Sequence, residues 1–214
     1  MTDQRPAVWV AKAFVDSRNN KGFEPIGDYD IQTLADLALR IQTGKPVSAE
    51  EMPDRLHVSG FVKTPKTIPP FLRAGPYPCV SDPIAQAMLG CDLGQGNLYP
   101  IRLFKKDKVT EYDTRHWFLN IGNVKAGFEP SEARGNGVRE MKDPNDKVNR
   151  WAMSSGMAPD SAAIRASALN GPDIWVDPMV VRAVFVSDRM RDALVPVGGD
   201  KALRLVRCRV LQNH

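Results

Sequence analysis

The segment Val80-Ser81-Asp82-Pro83-Ile84-Ala85-Gln86-Ala87-Met88 is echoed by Val186-Ser187-Asp188-Arg189-Met190-Arg191-Asp192-Ala193-Leu194. Both read Val-Ser-Asp, four further residues, Ala and a large apolar side chain. Each follows an extended stretch and precedes a glycine-containing turn. Ser or Asp at such a position caps the exposed N–H groups of a helix start. Pro83 suits the first helical turn, where its missing N–H costs nothing. Two strand–capped helix–strand units are therefore expected, at roughly 79–104 and 181–211. They predict an α+β fold with a mixed or antiparallel sheet and short helices.

The remaining elements are read from periodicity and turn residues. Val8–Ala11 and Ala13–Val15 are β-prone, and Asp16 to Gly22 is polar and turn-rich. Apolar Ile31, Leu34, Leu37, Ala38 and Ile41 recur at three- and four-residue steps, predicting a helix with one buried face. Asp30 stands as its N-cap and Gly44 just past its end. A proline-studded passage from Pro46 to Pro78 is expected to wrap over the domain, with a short strand near 56–62. Further strands are expected at 101–104, 117–121, 174–176 and 180–186, a long surface loop at 125–150 and a brief helix at 161–169. In the final strand the apolar phase slips at Leu205–Val206, which reads as a β-bulge. The expected organisation is one compact α+β domain, with an N-terminal strand–helix extension and proline-rich segment over 1–70 packed on a core at 71–214.

Charge narrows the functional classes. The formal charge is +4, but residues 1–60 carry 7 basic and 9 acidic side chains, so the surplus lies further along. Dedicated nucleic-acid binders show denser basic clusters, because several phosphate contacts act together. The densest candidate stripe is Arg189, Arg191, Lys201, Arg204, Arg207 and Arg209. Guanidinium groups suit forked recognition of carboxylates or phosphates. The stripe lacks aromatic residues for base stacking, so an acidic protein surface fits it at least as well as nucleic acid. Trp9, Trp117, Trp151 and Trp175 are core residues by default; Trp151, after the charged loop, is the one expected outside as an interface anchor.

Chemistry is sparse. Cys79, Cys91 and Cys208 form no CxxC pair, and His57, His116 and His214 show no metal-ligand spacing. No metal or cofactor is expected, and the thiols read as reduced and cytoplasmic. Gly94-Gln95-Gly96 holds two glycines of a dinucleotide fingerprint and reads as a tight turn. Glu50, Glu51 and Asp54, and Asp28 with Asp30, are the acidic clusters, read as a solvated helix start or loop. Cys79 with His116, oriented by Asp82 or Asp113, is the one nucleophile–base pairing available to an enzyme. No apolar run is long enough for a membrane span, and the first residues lack a signal-peptide layout.

The second half resembles a known family. Asp173-Ile174-Trp175-Val176, Val184-Phe185-Val186-Ser187-Asp188 with Met190 and Leu194, and the earlier Val80-Ser81-Asp82, Tyr99-Pro100-Ile101 and Trp117-Phe118-Leu119-Asn120 are similar to a bacterial immunity-protein family of polymorphic toxin systems, immunity family eleven. The resemblance covers roughly 70–211. It implies an α+β protein without cofactor or catalysis that binds and neutralises a cognate toxin encoded beside it. Trp175, Ser187 and Asp188 match the family pattern as fold-maintaining residues. The expected function is thus a cytoplasmic, stoichiometric toxin inhibitor. The expected partner-binding residues are Trp151, Arg189, Arg191, Arg204, Arg207 and Arg209. The alternatives are a small cytoplasmic enzyme using Cys79 and His116, and a nucleic-acid-associated protein using the basic stripe.

Overall fold

The computed structural model describes residues 6–141, 150–154 and 156–212. The chain begins with β1 (Val8–Ala11), β2 (Phe23–Pro25), α1 (Ile31–Gln42), β3 (Arg55–Val58), β4 (Phe71–Ala74) and β5 (Tyr77–Ser81). It continues through α2 (Asp82–Leu89), β6 (Asn97–Phe104), β7 (His116–Asn120), β8 (Val138–Met141), β9 (Arg150–Met153) and β10 (Ala163–Arg165). Then come β11 (Ile174–Val176), β12 (Val180–Val181), β13 (Val184–Ser187), α3 (Asp188–Leu194), α4 (Gly199–Leu203) and β14 (Leu205–Leu211). The fold is α+β, with mixed sheets and a few short helices.

The two Val-Ser-Asp segments occupy matching places in two sheets. One sheet runs β2-β3-β6-β7-β5-β4 and the other β10-β14-β1-β13-β11. In the first, β6 pairs parallel with β3 and antiparallel with β7, and β5 pairs antiparallel with both β7 and β4. In the second, β14 pairs parallel with β10 and antiparallel with β1, and β13 pairs antiparallel with both β1 and β11. The register matches residue for residue: Trp117 lies opposite Val80, and Trp9 lies opposite Val186. Even the antiparallel neighbour of β3 has a counterpart, since Phe128 bridges Ile164 as Pro25 pairs with Leu56. The fold is thus a duplication in which β1 does for the second copy what β7 does for the first. That strand comes from the other end of the chain, so the second copy is circularly permuted.

This topology places strands from both sides of residue 70 in each of the two sheets. β1 lies between β13 and β14, and β2 and β3 belong to the same sheet as β4 to β7. A cut at 70 would split one sheet and remove the central strand of the other. Residues 1–70 therefore contribute strands to both of these sheets.

Each unit starts with the expected cap. Ser187 accepts a hydrogen bond from Met190 N at 3.1 Å. Ser81 caps α2 by position without a side-chain bond, and Pro83 lies in the first turn. The two helices pack against each other between the sheets. Ile84, Ala85 and Met88 meet Met190, Leu194, Val80 and Val186 in one core. The opposite face of the first sheet carries Leu72, Cys79, Leu103 and Phe118 against Leu37 and Ile41 of α1. The opposite face of the second carries Val8, Val10, Trp175 and Phe185 against Met153, Met157 and Ile164.

Four local expectations change. Lys12–Phe14 is a 3-10 turn rather than strand. Ala163–Arg165 is a strand, with a 3-10 turn at Ala166–Leu169, because β14 offers a backbone edge that overrides the helical preference of alanine. Part of the segment expected as loop forms β8, paired with β9. No bulge interrupts β14, whose register with β1 is continuous from Ala11–Leu205 to Val8–Cys208. Leu203 is instead the last residue of α4, and Arg204 turns the chain with φ +54. The phase slip in the sequence is a helix-to-strand junction.

Candidate functional site

Helix α1 is pinned at both ends. Asp30 accepts from Thr33 N at 2.9 Å, and this backbone hydrogen bond leads in pulling its carboxyl below the usual range. At the other end Arg40 pairs with Glu51 and donates to the Pro46 carbonyl at 2.7 Å. Glu51 also accepts from Ser48 N at 2.8 Å, closing a capping box on the 3-10 turn Ala49–Glu51. The Arg40 guanidinium, with that backbone bond, lowers the Glu51 carboxyl to about 2. Leu37 and Ile41 are buried, and the Tyr77 hydroxyl donates to the Leu34 carbonyl at 3.3 Å.

The outward side of α1 is apolar as well. Ile31 is 84% exposed and Leu39 61%, with exposed Ala35 between them. Four-residue spacing puts the three in one line along the helix. Ile31 was expected on the buried face; instead it is exposed, and the buried residues of α1 are Leu37 and Ile41. The surroundings are acidic, with five carboxylates and two basic residues between Ile26 and Glu51. Arg40 is already taken up by Glu51.

The C-terminal arginines are dispersed among internal partners. Arg189 lies 3.7 Å from Asp173 and donates to the Gly90 carbonyl at 3.1 Å, tying α3 to the end of α2. Arg191 stacks over the Trp9 ring at 4.6 Å and pairs with Asp192 at 2.9 Å. Arg204 pairs with Asp16, whose carboxyl is held well below the usual range by Arg18 first and Arg204 after it. Arg207 lies 3.5 Å from Asp160, and Arg209 lies 3.4 Å from Glu132. Lys201 is exposed. The stripe is thus mainly a set of clamps from β14 and α3 to surrounding loops. Trp151 is half-buried on β9, its ring 6.1 Å from that of Phe128.

Trp175, Ser187 and Asp188 sit in the second sheet's framework. Trp175 is 1% exposed, stacks on Phe185, and lies under the Lys125 ammonium at 3.9 Å. The Ser187 hydroxyl donates to Asp173 at 2.5 Å. Asp188 accepts from Ala7 N at 2.5 Å and from Trp9 Nε1 at 2.7 Å. Sequence reading missed two buried stitches. Asn123 donates to the carbonyls of Leu93, Ile121 and Ile174, joining the two copies. Asp177 accepts from the N–H groups of Gly127 and Phe128, both at 2.7 Å. Isolated Asn and Asp residues in turn-rich stretches give no signal of such long-range partners.

Cys79 and His116 are not brought into a working pair. Cys79 is fully buried, its thiol is pushed well up by burial, and it points to the Tyr77 carbonyl at 3.6 Å. His116 is buried and its imidazole pushed down. Its Nε2 donates to the Pro69 carbonyl at 3.0 Å, leaving Nδ1 to accept from the Thr114 hydroxyl at 3.2 Å. Asp82, the expected orienting carboxylate, accepts from Trp117 Nε1 at 2.9 Å. Among the described residues no three His, Cys, Asp or Glu side chains gather as a metal site, and His214 lies outside those residues. Gly94-Gln95-Gly96 is a turn, with Gly94 at φ +55 and Gly96 N donating to the Leu93 carbonyl at 2.7 Å. Among the described residues no helix is long and apolar enough to cross a membrane.

Compared with known proteins, the chain matches no protein-family model and no curated protein.

Proposed function

We propose that this chain is an immunity protein, a cytoplasmic stoichiometric inhibitor that binds a cognate bacterial toxin and covers its active site. The observation that carries the reading is the outward face of α1, where Ile31 and Leu39 stand exposed on a helix pinned at both ends. A pre-ordered helix loses little freedom on docking, and an apolar line at four-residue spacing fits a groove on a partner. Burial of such a side chain contributes about 1.5–3 kcal/mol, so two anchors can dominate a contact. The acidic surroundings suit a toxin that is cationic where it is gripped, which speeds encounter. The resemblance of 70–211 to an immunity family supports the class of function. Helix α1 lies outside that stretch, where partner specificity is free to differ.

The test is co-expression with the toxic domain encoded beside the chain's own gene. Cells carrying both are expected to survive, and a one-to-one complex to be isolated. Ile31→Asp combined with Leu39→Asp should abolish protection while leaving the melting temperature unchanged. Undiminished toxicity beside the wild-type chain would sink the reading, and full protection by the double variant would remove α1 from it.

A further inference from the structure

We infer that the pocket between the two copies is a binding site for a small organic acid, one carboxylate on a compact apolar body. The pocket, of about 220 Å³, lies where the β4–β5 turn, the end of α1 and the start of β13 meet. Its walls include Phe14, Ile41, Val176 and Val184, and two arginines line it, half-buried Arg73 and exposed Arg182.

The charge arrangement points to an anion. Among the described residues no carboxylate lines the pocket. Arg73 is half-buried and spends one N–H on the Phe14 carbonyl at 2.9 Å. Its guanidinium is held below its ordinary range by burial first and by the like charge of Arg182 next. Arg182 has no hydrogen-bonding or ionic partner among the described residues, in contrast to the clamped arginines of α3 and β14. It also takes up a left-handed backbone, φ +56, at the turn into β13. Two like charges facing one cavity without a counterion repel each other. A bound carboxylate removes that repulsion and offers two oxygens to forked donors.

Size and walls narrow the class further. The volume is below that of a pocket for a drug-sized ligand, about 300–1,000 Å³. The aliphatic and aromatic walls favour an apolar body over a strongly hydrated phosphate.

The inference is independent of the toxin reading and is tested without a toxin. Isothermal titration would use 3-phenylpropanoate and 4-methylpentanoate, their neutral amides, inorganic phosphate, and a short peptide ending in Phe with a free terminal carboxylate. At least one acid is expected to bind ten times more tightly than its amide. Arg182→Ala, which removes no hydrogen bond or ion pair among the described residues, should weaken that binding tenfold or more with the melting temperature maintained. Preference for the peptide over the free acids would assign the carboxylate to a chain terminus, and the reverse to a free metabolite. The inference is overturned if acid and amide bind alike, if phosphate binds more tightly than any carboxylate, if Arg182→Ala binds undiminished, or if no carboxylate binds at about 10 mM.

Discussion

Trp9 donates its indole N–H to Asp188 at 2.7 Å, across 179 residues of sequence. Trp117 makes the same bond to Asp82 at 2.9 Å from the same register position in the other sheet. In both copies the first helical Asp is thus held by a Trp on the strand beside it. In the first copy that strand follows β6 through the loop at 105–115; in the second it is the start of the chain.

The end of β14 and the start of β1 should therefore be joinable. Val8 lies opposite Cys208 as His116 lies opposite Ile101, so a hairpin linker from the end of β14 to the start of β1 would copy the β6–β7 connection. A permutant with that linker, opened between Lys108 and Val109 in the exposed β6–β7 loop, is expected to fold within about 2 kcal/mol of the parent. One loop closure is exchanged for another of similar length. Urea unfolding checks this, and a permutant lacking cooperative unfolding would refute the equivalence of the two strands.

Acid should weaken the fold in a defined direction. The Glu51 carboxyl is lowered to about 2 by Arg40 and Ser48, and Asp16 is held well below the usual carboxylate range by Arg18. A carboxyl whose folded pKa lies below its ordinary value, about 4, contributes stability that is complete above that value and lost as pH falls toward the folded one. Buried His116 acts in the same direction at higher pH. Its imidazole is pushed down, so protonation below about 6.5 favours the unfolded chain. The urea midpoint should fall from pH 7 to 5, and again from pH 4.5 to 2. Glu51→Gln should flatten the second decline. A midpoint constant from pH 7 to 2 would contradict both.

Gly44 closes α1 against the second copy. Its φ is +71, and an added Cβ would lie 2.5 Å from Val176 Cγ2 and 2.6 Å from the Asn123 carbonyl oxygen. Gly44→Ala meets both a left-handed backbone and a backbone atom that Asn123 cannot easily shift, since its side chain is tied to three carbonyls. A loss of about 2 kcal/mol or more is expected in chemical denaturation. A neutral outcome would mean that the contact between α1 and β11 is soft.

Arg182→Gly should do the reverse. Glycine adopts φ +56 without the steric cost that arginine bears, and the substitution removes the repulsion on Arg73. The ligand-free protein is expected to gain about 0.5–1 kcal/mol in the same assay. A loss of stability would show that Arg182 makes a supporting contact in solution.

The capped starts of α2 and α3, the span of α1 with Asp30 and Gly44 at its ends, and most strands of the two units were legible from the chain alone. Caps, turns and apolar periodicity are interactions between residues a few positions apart, and their chemistry is written in adjacent letters. The pairing of β1 with β13 and β14 was not legible, because any β-prone segment can fill a vacant strand position and only packing selects which one does. The same reason explains Ala163–Arg165, drawn into a strand by the edge of β14. It also explains Ile31, periodic with the buried face yet left exposed while Leu37 and Ile41 are buried. Of the candidate sites, the arginines of the second half were recognisable by type. Which were clamped by Asp16, Asp160, Glu132 or Asp173, and which faced Arg73 across a cavity without a counterion, was decided by the meeting of the two copies in space.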